Sequence, residues 1–190
     1  MTKVDLKKDL DGYQARRGAF RVLQIPPQRY LMADGHGDPN TSPDFARAVE
    51  ALYPVAYRLK FASKAAGRDY VVPPLEGLWW SDSMDNFTTA RDKSAWRWTL
   101  MLLVPEWIPP VVDLPEGVRV ETLDEGLCVQ TLHLGSFDDE GPILARMHDE
   151  FIPGAGLAMT GRHHEIYLSD RRRTAPERLR TILRQPVRTV

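Results

Sequence analysis

The 190-residue sequence predicts an α+β fold built from two βαββ modules whose strands join in one antiparallel sheet with both helices on one face. Three observations carry this. A strand–helix–strand–strand order can be read from residues 29 to 104, the same order returns from 126 to 187, and a proline-rich stretch separates the two. The modules span about residues 22–105 and 118–190, with a linker of about 105–117, in a single domain covering 1–190.

In the first module Arg29 to Gly35 has strand composition, and Gly35, Gly37, Asp38, Pro39 and Asn40 then form a turn. Ser42 before Pro43 is an N-cap followed by proline at the first helical position. Phe45, Val49, Leu52, Ala56 and Leu59 follow at spacings of three and four, one face of an amphipathic helix that ends near Gly67. Pro54 lies inside this pattern and predicts a kink near Ala51 to Tyr53. Strands at Leu75 to Trp80 and Trp96 to Val104 complete the module, joined by the polar stretch Ser81 to Ser94. Pro105, Pro109, Pro110 and Pro115 forbid a helix or central strand in the connection that follows.

The second module opens with a strand from Gly126 to Leu134, then a turn at Gly135 and Asp138 to Glu140. Pro142 begins a helix whose buried face carries Ile143 or Leu144, Met147 and Phe151. Pro153, Gly154 and Gly156 break it. A strand from His163 to Leu168, a helical turn at Ala175 to Leu179 and a last strand from Thr181 to Val187 follow. Residues 1–17 have weak periodicity and are expected to be only partly ordered.

Composition limits function. Lys plus Arg is 25 against 26 for Asp plus Glu, a balance that argues against a generic nucleic-acid binder. The longest strictly apolar run, Leu100 to Val104, is far below a membrane span, and no secretory pattern opens the chain. The single cysteine, Cys128, fits a reducing, cytoplasmic location. No paired-cysteine or HExxH pattern, phosphate loop or dinucleotide fingerprint occurs, so neither a metal nor a cofactor is expected.

Aromatic residues give the strongest chemical signal. Trp79 and Trp80 are adjacent, and Trp96 and Trp98 alternate along the next strand. Alternation puts Glu76, Leu78 and Trp80 on one face and Trp79 on the other. Such residues either fill a core or line a box for a flat or cationic ligand. Tyr53 and Tyr57, four apart on a helix, either pack or line one end of a pocket. In His163-His164-Glu165-Ile166-Tyr167-Leu168, the apolar Ile166 and Leu168 are expected to face the helices, leaving Glu165 and Tyr167 on the open face. A carboxylate among aromatic groups has its charged form disfavoured, which suits a general acid or base, or a cation site. The alternative is an ordinary solvated glutamate. The arginines from Arg171 onward are either an anion-binding surface or a solvated face balanced by acidic residues elsewhere in this half.

The segments MADGHGDPN, EALYPVAYRLKF, PLEGLWW, SAWRWTLMLLVPEW, FDDEGP and RHHEIYLSD resemble, in this order from Val22 to Val187, the stand-alone GyrI-like family of small-molecule-binding proteins. The resemblance implies two modules related by an approximate twofold, with a ligand groove between them. In relatives fused to transcription regulators the domain binds flat lipophilic cations with aromatic walls and a glutamate that matches Glu165. In relatives similar to this chain the family is associated with hydrolysis of cyclopropane-bearing, DNA-alkylating natural products. The resemblance then implies Glu165 and Tyr167 as catalytic residues. Trp79, Trp80, Trp98, Glu76, Tyr57, Tyr53, His163 and Phe137 would contact a planar aromatic or cationic small molecule. The family's name also suggests a topoisomerase-inhibiting module, which the near-neutral charge does not favour. Two departures stand out: Arg171 follows Asp170 where relatives usually carry proline, and the approach from Ile152 to Thr160 is short and rich in glycine.

Overall fold

A computed structural model describes residues 2–82 and 92–190. Of the expected polar connection Ser81 to Ser94, residues 83–91 lie outside the described residues. The chain divides into two compact units, one of Met1–Leu10 with Gln28–Leu123 and one of Asp11–Pro27 with Asp124–Val190.

The first unit holds α1 (Leu6–Asp9), β2 (Gln28–His36), α2 (Pro43–Ala65), β3 (Glu76–Trp80), β4 (Arg97–Leu103) and β5 (Val118–Leu123). Its strands run antiparallel in the order β3-β4-β2-β5. The Ser42 side chain accepts from the backbone N–H of Asp44, capping α2 with Pro43 in its first turn. The helix runs unbroken from Pro43 to Ala65 with Pro54 inside it, so the pyrrolidine does not divide it. Its buried face is Ala48, Leu52, Val55, Ala56, Lys60 and Ser63, rotated slightly from the expected stripe. Lys60 is tolerated there because its ammonium meets Asp69 at 2.5 Å. The proline-rich connection is held by Arg29, which donates to the carbonyls of Pro105 and Ile108. Arg58 does the same for Val112 and Asp113. Trp107 donates to Ser63 and lies under the Arg68 guanidinium.

The second unit holds β1 (Arg21–Ile25), β6 (Gly126–Leu134), α3 (Gly141–Ala145), α4 (Ile152–Gly154), β7 (Leu157–Met159), β8 (His163–Tyr167) and β9 (Arg180–Thr189). Its antiparallel order is β1-β6-β9-β8, with β7 on the far end of β9. A π-helical turn, Arg146–Phe151, joins α3 to α4. Apart from the short β7, which the sequence reading did not assign, each unit thus repeats strand, helix, strand, strand and gains one edge strand that was likewise unassigned. That strand is β5 in the first unit and β1 in the second. Both are short and partly exposed, so neither shows a strong alternation.

The N-terminal residues overturn the expectation of partial order. Leu6 and Tyr13 are buried, and Val4 bridges Tyr70. Within the second unit, Arg184 donates to the Gly12 carbonyl and Gln130 to that of Gln14, so residues 11–17 lie across one face of the sheet. Weak periodicity did not mean disorder, because this segment is anchored through its backbone carbonyls and needs no apolar stripe.

Candidate functional site

The face on which each candidate lies follows from strand register. Glu165 is opposite Leu183 on β9, and Leu183 is opposite Thr131 on β6. Leu183 belongs to the apolar cluster with Val129, Met147, Ile152 and Val187, the cluster under the helical segment. Directly opposed residues share a face. Glu165, and with it His163 and Tyr167, therefore lies on the helical side of the sheet, not on the opposite face as expected. The reason is the N-terminal segment. Ile166, opposite Ile182, faces the other way, toward the side that residues 11–17 cover. With both faces covered, apolar character at Ile166 does not mark the helix side.

On this face a polar line runs along β8. The Tyr167 hydroxyl donates to Glu165 Oε2 at 2.7 Å. Glu165 Oε1 is 3.4 Å from His163 Nε2, and both side chains are 13% exposed. Phe137, from the turn before α3, sets its ring edge-on to Tyr167 at 5.6 Å between centroids. The structure thus brings Glu165, Tyr167, His163 and Phe137 together. It adds His148, which sequence reasoning missed; its ring meets His163 edge-on at 6.1 Å. His148 follows Met147, a residue correctly placed on the buried helix face, and that adjacency was the available signal. Burial first, and then the charge of His163, lower its pKa to about 4 against a smaller opposing effect of Asp149.

The first unit treats its candidates differently. Trp98 is fully buried, with Phe45 of α2 edge-on at 5.4 Å and its indole N–H donating to the Gly37 carbonyl. Trp79 lies opposite Trp98 and packs against it and Trp96. Both are core residues beneath α2. Trp80 pairs with Arg97 and so points to the other face, which corrects the expectation that Trp80 and Trp98 stack on the same substrate. Glu76 is also on that other face, fully buried and opposite Met101. Tyr53 and Tyr57 stack at 6.4 Å on α2, and Tyr57 is 45% exposed.

Behind the candidate face, Glu125 forms an unpredicted buried centre. One carboxylate oxygen meets His164 Nδ1 at 2.8 Å and the other meets Arg184 at 2.9 Å, while Arg184 also donates to Gln130. Burial would raise the Glu125 pKa, but the neighbouring charges and hydrogen bonds of His164 and Arg184 outweigh it and hold it at about 2. This centre is structural. It ties β6, β8, β9 and the N-terminal segment together on the face opposite Glu165.

Two surface concavities, of 510 and 390 Å³, contain none of the candidate residues; one is lined by Pro54, Arg58 and Leu114, the other by Phe20, Arg146 and Phe151. Among the described residues no group of three or more His, Cys, Asp or Glu is arranged to hold a metal ion. No helix among them is long and apolar enough to cross a membrane.

Comparison with known proteins adds three findings. A family profile described as a GyrI-like small molecule binding domain matches residues 19–188. A conserved Listeria innocua protein described as uncharacterized is similar in structure, with 36% identity, a TM-score of 0.85, and coverage of 98% of this chain and 100% of that one. Two structures described as a hydrolase from Listeria innocua are similar at the same identity and coverage, with TM-scores of 0.81 and 0.83. Among curated proteins, none is significantly similar.

Proposed function

The chain belongs to the family of GyrI-like small-molecule binding domains, and from that premise we propose that it binds flat, lipophilic or electrophilic molecules beside Glu165 and hydrolyses strained cyclopropane-bearing ones. The observation that carries this reading is the Tyr167–Glu165 hydrogen bond at 2.7 Å, shielded by Phe137 and flanked by His163. The hydrolase description of the Listeria structures supports catalysis more broadly.

A cyclopropane conjugated to a dienone opens when water attacks a ring carbon. The water oxygen forms the C–O bond, the ring C–C bond breaks, and its electron pair passes to the conjugated oxygen. Glu165 is the group that accepts the water proton. Tyr167 donates its one hydroxyl proton to Oε2 and so holds the carboxylate in place. Phe137 gives the planar ligand an aromatic wall. In the first unit Trp98 and Trp79 act by packing.

The test is incubation with a cyclopropane-bearing spirocyclic dienone, followed by mass spectrometry. The expected product gains one water, and Glu165→Gln lowers its formation by about 10²–10⁴-fold while leaving binding largely intact. Full turnover in that variant overturns the mechanism. Binding without conversion in the wild type, with cation affinity lost in Glu165→Gln, would instead identify a sequestering protein. The largely buried Glu165 carboxylate beside Tyr167 also suits that role.

A further inference from the structure

Several buried polar atoms on the helical side of the second unit have no hydrogen-bond partner among the described residues. They include Nε2 of His148, both ring nitrogens of His163 and Oγ1 of Thr131. Thr131 shares a cross-strand row with Leu183 and Glu165. A buried polar atom left unpaired is destabilising, so several on the sheet face that carries Glu165 imply a function that keeps them.

The backbone gives a second, independent sign. His148 sits in the π-helical turn Arg146–Phe151, where the Ile152 N–H reaches back five residues to the Met147 carbonyl. Such turns interrupt the regular helical ladder and are frequent at functional sites, because they change where the following side chains point. Here the turn carries the imidazole that meets His163.

We propose that His163 and His148 form a one-proton relay for Glu165, in which His163 takes up the proton that the carboxylate has accepted and His148 holds the His163 ring in position. This rests on the reading of Glu165 as the proton-accepting group. After ring opening, the protonated carboxyl closes on His163 Nε2, which lies 3.4 Å from Oε1 and is not hydrogen-bonded to it in the resting protein, and passes it the proton; the imidazolium then releases it to the product oxygen. The carboxylate is restored, one water has been added in total, and no further reactant is required. His163 moves the proton itself, and His148, whose only ring contact among the described residues is with His163, is a positioning residue.

Charge logic supports a single shared proton. Two buried imidazoles at 6.1 Å repel each other when both are charged. His163 is faced by Glu165 on its own strand and by His148 from the helical turn. His148 also feels Asp149 on its own turn. On the same sheet face β9 contributes the uncharged Thr181 and Leu183. His133 of β6 lies in the row of Thr181 and Tyr167 and is engaged with the Ser136 carbonyl.

The experiment is a histidine-ring NMR titration of ¹⁵N-labelled full-length protein, paired with kinetics. In the wild type the His148 ring is expected to titrate near pH 4, and the midpoint to move upward in His163→Gln, where the second charge is gone. A His148 midpoint unchanged in His163→Gln overturns the relay whatever the activity. In turnover, His163→Ala should lower kcat by about 10-fold or more with KM near the wild-type value, and added imidazole should restore part of the loss. A purely structural histidine would not be rescued in this way, and wild-type kcat in His163→Ala also overturns the relay. Glu165→Gln separates the two readings: retained turnover there removes the hydrolase mechanism, while the His148 titration still decides whether the two rings share one proton.

Discussion

Two glutamates of the second unit show how the same side chain takes on different work. Glu165 was legible because it stands between a histidine and a tyrosine on a strand, a pattern that favours chemistry. Glu125 was not. It precedes β6 in an unremarkable Asp-Glu-Gly turn, and its partners His164 and Arg184 lie 39 and 59 positions away in sequence. Arg184 was itself counted among a basic run expected to be solvated or anion-binding, yet it is one of the most buried side chains in the protein. Arg184→Met should therefore cost about 3–5 kcal/mol in denaturant unfolding, because Glu125 loses a partner while still buried. Ligand affinity at Glu165 should change little, since Arg184 is on the other side of the sheet. A loss within about 0.5 kcal/mol, as for an ordinary surface substitution, would show that the buried pair is not what holds this face.

Elements were legible where local chemistry is strong. The Ser42-Pro43 start of α2 and the strand β6 appear where the sequence places them. The edge strands β1 and β5 and the short β7 were missed, because their stability comes from pairing with a neighbour and not from their own alternation. The aromatic cluster was legible as a cluster and misread in part as a ligand wall. Gly35 explains the difference. It lies opposite Trp98 on β2, and a Cβ there would come within 2.1 Å of the indole ring. The strand is built to admit the tryptophan as core. Gly35→Ala should destabilise the protein by about 1–3 kcal/mol through overpacking, read as a lower unfolding midpoint in denaturant. A midpoint equal to that of the wild type would mean that Trp98 has room to move and is free to serve a ligand.

For the whole molecule, two groups predict sensitivity to acid. Both have folded pKa values below their usual ones, so the unfolded chain binds more protons and stability falls as pH falls. His148 acts first, over the window from about 6.5 down to about 4. Glu125 acts next, from about 4.5 down to about 2, with a contribution on the order of 3 kcal/mol that is present above the upper limit and lost at the lower. Unfolding free energies measured at pH 7.5, 5.5 and 4 should decline in turn, and the step between 7.5 and 5.5 should shrink in His148→Gln. A flat profile across this range would contradict both assignments.

The sequence by itself determined the class of the fold, the repeated strand–helix–strand–strand order, the family and the strand bearing Glu165 and Tyr167. These depend on periodicity, capping and short motifs, all of which are local. The tertiary structure alone decided which face each strand residue occupies, that His148 meets His163, and that Trp98 belongs to the core. In a sheet covered on only one side, hydrophobic alternation identifies the inner face. Here residues 11–17 close the second side of the β6–β9–β8 sheet through backbone carbonyls. Alternation therefore lost its meaning on β8, and only the register with Leu183 fixed the side on which Glu165 stands.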